Sequence, residues 1–147
     1  MNPVYVGQPM LIRGYDPQGF SASECTLREE TDDTCPQLSR LSGSRIGVAN
    51  IEFRVPLLGT EQLGLINMPY FPLEIAPFFD AGVAWSSNQS PEFRFDRNTA
   101  DRVPVFSTGV AGRVNLFGFA IIEMFYVQPL QRPDRKAFFG WQIAPGW

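Results

Sequence analysis

Side chains alternate with a period of two in five long stretches of this sequence. No segment keeps a 3.6-residue period for three turns, because Gly or Pro interrupts most windows. Alternation of this kind directs successive side chains to opposite faces of a strand, so it commits the chain to sheet. The first stretch is Arg45–Leu57, with Ala49, Ile51, Phe53 and Val55 on one face and Asn50, Glu52 and Arg54 on the other. The second is Pro72–Ser86. Its apolar face carries Leu73, Ile75, Phe79, Val83 and Trp85, and Glu74, Asp80 and Ser86 lie opposite with Ala76, Phe78, Gly82 and Ala84. The third is Val105–Leu116, where Phe106, Val110, Val114 and Leu116 oppose Ser107, Gly109, Ala111, Arg113 and Asn115. In the fourth, Phe119–Pro129, Ile122, Met124 and Tyr126 face away from Glu123, Ile121 and Phe125. In the fifth, Ala137–Trp147, Phe139, Trp141, Ile143 and Trp147 oppose Gly140, Gln142 and Gly146.

These strands are about 11–15 residues long, against the usual 5–6 of globular sheets. A tilted strand crossing a bilayer needs roughly 9–11. One face of each is apolar and the other is small or polar, carrying Gly, Ala, Ser, Asn and isolated charges. A soluble sandwich would set Lys, Glu and Thr against water instead. The connections differ in length too. Asn88–Pro104 is long and polar, Phe117–Gly118 is very short, and Gln131–Lys136 is moderate and charged. Long loops on one side and short turns on the other are the habit of outer-membrane barrels. The stretch Leu58–Phe71 breaks this pattern, being long and fairly apolar for a short-turn side. The aromatics Trp85, Tyr126, Trp141 and Trp147 suit either an interfacial belt or plain core packing.

The totals narrow the function classes. The chain has 147 residues and net charge −3, so it has no general basic footprint and no nucleic-acid partner is expected. Charged residues are 18% of the chain, below the roughly 25% of an average soluble domain, and aromatics are 14%. Mean hydropathy is −0.09, and no run of apolar residues is long enough for a transmembrane helix, a test that a barrel wall escapes. Histidine is absent, which removes His-based triads and His metal ligands. Cys25 and Cys35 form no CxxC pair, so zinc is not expected. They are read as a disulfide closing a small loop, with two free thiols as the alternative. "REETDDT", Arg28–Thr34, offers Glu30, Asp32 and Asp33 to calcium but lacks the spacing and glycine of a known loop, and reads as solvated. No cofactor, metal or catalytic residue is expected. The opening "MNPVYVGQPM" has neither the basic start nor the apolar core of a signal peptide.

Arg13 stands between the apolar run Met10–Ile12 and the turn-rich Gly14, Asp16, Pro17 and Gly19. A surface arginine needs no such setting, whereas one placed to reach an internal acid would.

Three stretches carry a resemblance. "IRGY", Ile12–Tyr15, is similar to the RG(F/Y) motif of a long loop that folds back into a barrel. "FFDAG" contains Phe78-x-Asp80-x-Gly82, similar to an FxDxG strand motif. The C-terminal strand ends in Trp147 with Phe139, Trp141 and Ile143 before it, resembling the signal read by the barrel assembly machinery. The chain thus resembles the C-terminal barrel region of the bacterial surface antigen superfamily, which includes BamA-type assembly proteins and two-partner-secretion transporters. The resemblance implies an all-β fold of antiparallel strands, with residues 1–44 as the inward-folding loop region and 45–147 as five strands. It further implies a bacterial outer-membrane location and a role in protein insertion or translocation, or in anchoring a periplasmic domain. Lipid and the assembly machinery would be partners.

Asp80 shares the non-lipid face with Phe78 and Gly82, where the missing side chain of Gly82 leaves room for a loop. Arg13 could bind Asp80 in bidentate fashion, with Glu52 as a second acid, Gly14 allowing close approach and Tyr15 packing beside it. Five strands cannot close a barrel, since even the smallest bacterial ones have eight. The remaining strands are expected from a longer chain or from other subunits. Two other readings compete. One is a soluble β-sandwich binding module. The other is a hydrolase using Asp80 and Glu52 as paired carboxylates.

Overall fold

The structure is a computed structural model that describes residues 4–20, 36–59, 62, 64–68, 70–96, 101–132 and 135–145. Cys25, Cys35, Trp147 and the acidic residues Glu30, Asp32 and Asp33 lie outside these.

The described chain is all-β in character. Two short strands, β1 (Val4–Tyr5) and β2 (Ser42–Gly43), pair antiparallel. A larger sheet follows, made of β3 (Arg45–Glu52), β4 (Val55–Gly59), β5 (Ile66–Asn67), β6 (Leu73–Trp85), β7 (Val105–Leu116), β8 (Ala120–Pro129) and β9 (Phe138–Pro145). Its order is β5-β4-β6-β7-β8-β9, and β3 also pairs with β6. Among the described residues helix is confined to one turn at Pro36–Ser39 and a 3-10 turn at Pro17–Gly19, the latter capped by the Asp16 carboxylate.

Four of the five expected strands are β6 to β9: β7 has the expected bounds, β6 is one residue shorter at each end, β8 and β9 each begin one residue later, and the expected end of the last strand at 146–147 lies outside the described residues. The first, expected as one strand over Arg45–Leu57, is divided into β3 and β4 at Phe53–Arg54. Proline explains the interruption. Pro77 of β6 has no N–H to give, so opposite it only Phe53 donates, to the Pro77 carbonyl at 3.0 Å. The second correction concerns direction. The Leu58–Phe71 connection contains β5, which runs parallel to β4 with Leu58 opposite Ile66, so the sheet is not wholly antiparallel.

The chain divides into two compact units, one of residues 1–50, 80–107 and 128–136, the other of residues 51–79, 108–127 and 137–147. In the first, Val6, Ile12, Tyr15, Leu41, Ala84 and Val105 form a buried apolar cluster. In the second, Ala76, Phe78, Ala111, Phe125 and Val127 do so, and glycines make room for the rings. The Phe125 ring covers Gly140, where a Cβ would approach it to 2.5 Å, and Phe78 approaches Gly109 in the same way. Cross-strand aromatic cover of this kind compensates for glycine's missing side chain.

In the second unit large apolar side chains also stand on the exposed face of β8 and β9. Glu123 of β8 is 6% exposed, whereas Met124 and Tyr126 beside it are exposed. On β9, Phe139, Trp141 and Ile143 are each more than 60% exposed, while Gln142 between them is half-buried. The expected division of faces therefore appears with the apolar side outward.

Candidate functional site

The first unit holds a buried ion pair built from a loop and a strand. Asp80, fully buried, lies on β6 in register with Phe78, Gly82 and Ala84, all turned to the covered face. Arg13 meets it with two parallel bonds, Nε to Oδ2 at 2.8 Å and Nη2 to Oδ1 at 2.9 Å. The Arg13 backbone N–H also donates to Oδ2, at 3.2 Å. This fork geometry is specific to arginine, because a lysine would supply only a point charge. Asn50 adds a third side chain, with Nδ2 donating to Asp80 Oδ1 at 2.9 Å and to the Leu11 carbonyl at 2.8 Å.

Local sequence sets this approach. Gly14 adopts φ of 94°, a conformation that side chains disfavour, just after Arg13. Gly82 permits close contact, since a Cβ there would fall 2.0 Å from Ile12 Cδ1. Ile12, buried at zero exposure, is thus pressed against the strand backbone, a burial that contributes about 1.5–3 kcal/mol.

Tyr15 makes a second attachment. Its ring is fully buried, and its hydroxyl donates to the Phe106 carbonyl at 2.8 Å and accepts the Gln131 N–H at 3.2 Å. Gln131 in turn ties down the end of β7, accepting the Phe106 N–H at 2.6 Å and donating to the Pro104 carbonyl at 2.5 Å. Arg132 donates to the Gly14 carbonyl at 3.0 Å and lays its guanidinium 4.0 Å over the Phe20 ring. Arg40, also buried, donates to the Gln131 carbonyl at 2.8 Å, and burial lowers its pKa. Burial pushes the Tyr15 phenol up to about 12, against the lowering pull of the Gln131 bond and of Arg40 and Arg132.

The second unit contains Glu52 and a network within the sheet. Arg113 of β7 reaches Glu52 through Nη1 at 2.5 Å and Nη2 at 3.1 Å, and Glu123 through Nε at 2.5 Å. Arg54 adds a bond to Glu52 at 2.6 Å, and Gln142 bonds Glu123 at 3.1 Å. Both carboxylates named for a hydrolase, Asp80 and Glu52, therefore accept two-pronged bonds from arginines. That arrangement suits a structural acceptor better than a group that must exchange a proton with a substrate. Among the described residues no group of three or more acidic or cysteine side chains is placed to hold a metal ion.

Arg13, Gly14, Tyr15, Asp80 and Gly82 come together around the loop. Phe78 is buried in the second unit's apolar cluster, and Phe139, Trp141 and Ile143 line one exposed face of β9. The sequence reading did not single out Asn50, Gln131, Arg132, Arg113 or Glu123 as partners. Strand parity already set Asn50 on the face of Glu52. Counting outward from a two-residue Phe117–Gly118 turn pairs Arg113 with Ile122, so the Arg113–Glu123 contact depends on a register that the turn count does not give. Gln131 and Arg132 sit in an irregular connection that carries no such period.

Comparison with protein-family models, with curated proteins and with solved structures finds no match.

Proposed function

We propose that this chain forms part of the wall of a bacterial outer-membrane β-barrel, with the Met10–Phe20 loop folded against its inner face. The observation that carries this reading is the exposed apolar face of β8 and β9, with charged side chains shielded on the other side. Arg113, Glu52 and Glu123 are shielded, while Phe139, Trp141, Ile143, Tyr126 and Met124 face outward. Water disfavours such a surface and a bilayer favours it, because lipid-facing and lumen-facing residues alternate along a barrel strand.

The neighbouring strands come from a longer chain or from other subunits, since closure needs at least eight. The Arg13–Asp80 pair then holds the loop at a fixed place on the wall. In this reading the barrel belongs to the surface antigen type, and its role is insertion or translocation of proteins, or anchoring of a periplasmic domain. The assembly machinery would read the Phe139, Trp141, Ile143 and Trp147 end.

Flotation with lipid vesicles tests the wall. The full chain should need detergent for solubility and should rise with vesicles of phosphatidylethanolamine and phosphatidylglycerol. A monodisperse chain in plain buffer overturns the reading and favours the soluble sandwich.

A further inference from the structure

Two features of the second unit are left over: the apolar stretch before β6 and the turn between β7 and β8. The connection is three residues, Phe117–Phe119, with Phe117 and Gly118 central to a turn closed by the Phe119 N–H donating to the Leu116 carbonyl at 2.9 Å. Asn115 Oδ1 accepts the Gly118 N–H at 2.8 Å. Both central residues have positive φ, 54° at Phe117 and 74° at Gly118. Turns of this shape select Asn-Gly, because asparagine tolerates the left-handed region and bulky residues do not. Here a phenylalanine occupies the asparagine position at a steric cost. Burial does not compensate that cost, since Phe117 is 77% exposed and Phe119 is 87% exposed.

The surroundings are equally apolar. The Phe71 ring meets the Phe117 ring edge-on at 5.6 Å, and the Asn115 N–H donates to the Pro72 carbonyl. These contacts place the chain before β6 at the same end of the sheet as the turn. Leu65, Met68 and Tyr70 of that segment are exposed as well. Residues 62–73 and 114–122 contain no Asp, Glu, Lys or Arg. An exposed turn meeting water is ordinarily polar. This sheet end therefore presents strained, uncharged, ring-rich surface over both the turn and its neighbouring segment.

We infer that the β7–β8 turn and the segment before β6 form a lipid anchor, in which Phe117, Phe119, Phe71 and Tyr70 enter the headgroup–acyl boundary of a bilayer leaflet. The inference rests on the barrel-wall reading and extends it, because the turn itself is immersed and not only the strand faces. Aromatic rings favour that boundary, and short turns of outer-membrane barrels face the periplasm, so the leaflet is the inner one. Strain at Phe117 is retained because the residue that relaxes the turn, asparagine, would give up the ring.

Two variants test this in the full chain, with flotation on vesicles of phosphatidylethanolamine and phosphatidylglycerol. Phe117→Asn relaxes the turn, so its sheet content by circular dichroism should equal or exceed the parent's. Its partition into vesicles should fall on the order of tenfold, the loss of one buried ring. Phe117→Trp reports depth. Lipids brominated near the headgroup should quench more of its emission than of the parent's. If Phe117→Asn partitions like the parent, or if the added tryptophan is unquenched, the anchor is overturned and the wall stands. If the parent chain does not float at all, the wall reading fails and the anchor fails with it.

Discussion

Each of the two units contains a cluster of arginines and carboxylates, and the two clusters are built differently. In the first, Arg13 reaches Asp80 from a loop 67 residues away in sequence, and their side chains are 6% and 1% exposed. In the second, Arg113 bridges Glu52 and Glu123 within one sheet, at 19%, 13% and 8% exposure. The loop cluster fixes a segment that has no strand pairing to hold it over Met10–Phe20. The sheet cluster adds to strands already held by backbone hydrogen bonds. Losing a charge should therefore do more damage in the first unit than in the second.

The largest effect is expected at Asp80. Asp80→Ala removes the bidentate acceptor of the buried Arg13 guanidinium, and breaking one side of a buried pair typically costs about 3–5 kcal/mol. The loss should appear in the urea midpoint in detergent, and in faster protease cleavage of the Met10–Phe20 loop. A double variant, Arg13→Met with Asp80→Leu, removes both charges and should recover much of the midpoint. An unchanged midpoint in Asp80→Ala would mean that the loop is held elsewhere.

The next effect is a pH step. The Tyr15 phenol has a folded pKa of about 12 against an ordinary value of 10, so folding favours its neutral form. Its contribution is fully present below pH 10. As pH rises from 10 to 12, the unfolded chain loses its proton first and stability falls, by at most about 2–3 kcal/mol. Burial also raises the Tyr5 phenol, whose hydroxyl donates to the Tyr15 carbonyl, so it adds a fall of the same sign. Denaturant midpoints followed through this window should drop steeply in the parent and less steeply in Tyr15→Phe. A parallel drop in both would remove Tyr15 as the cause.

A smaller effect is expected from filling the space at Gly82. Gly82→Ala drives a Cβ into Ile12, which is buried and has nowhere to swing, at a cost of about 1–3 kcal/mol. Adding Ile12→Ala should return part of this, since the clash and the cavity offset each other. A double variant worse than the sum of the singles would contradict the close packing of loop on strand.

Much of this was legible in the sequence, for a specific reason. Strand parity is a local property, so the faces of Asp80, Gly82, Glu123 and Trp141 followed from counting residues in twos. Gly14 and Gly82 signalled close approach because only glycine suits a positive φ or a vanished side chain. Pro77 was equally visible, yet its effect on the opposite strand at Phe53 depends on pairing register, which a single sequence does not state. The short parallel strand at Ile66–Asn67 was hidden by its length, since two residues carry no period. The Gln131 and Arg132 attachments depend on where an irregular connection folds, and no periodic signal encodes that.

The smallest of these effects belongs to the sheet cluster, where the difference between the two units becomes measurable. Arg113→Met removes the bridge, but Glu52 keeps Arg54 and Glu123 keeps Gln142. Neither acid is left wholly unpartnered, so the cost should be about 1–2 kcal/mol, below that of Asp80→Ala. Arg113→Lys refines the point. A lysine supplies one compact charge and cannot hold Glu52 with two prongs while bonding Glu123, so it should recover only part of the loss. Full recovery by lysine would mean that charge alone matters at this position and the fork geometry does not. A cost equal to that of Asp80→Ala would show that strand pairing gives the second cluster no protection, and the contrast between the two units would fall.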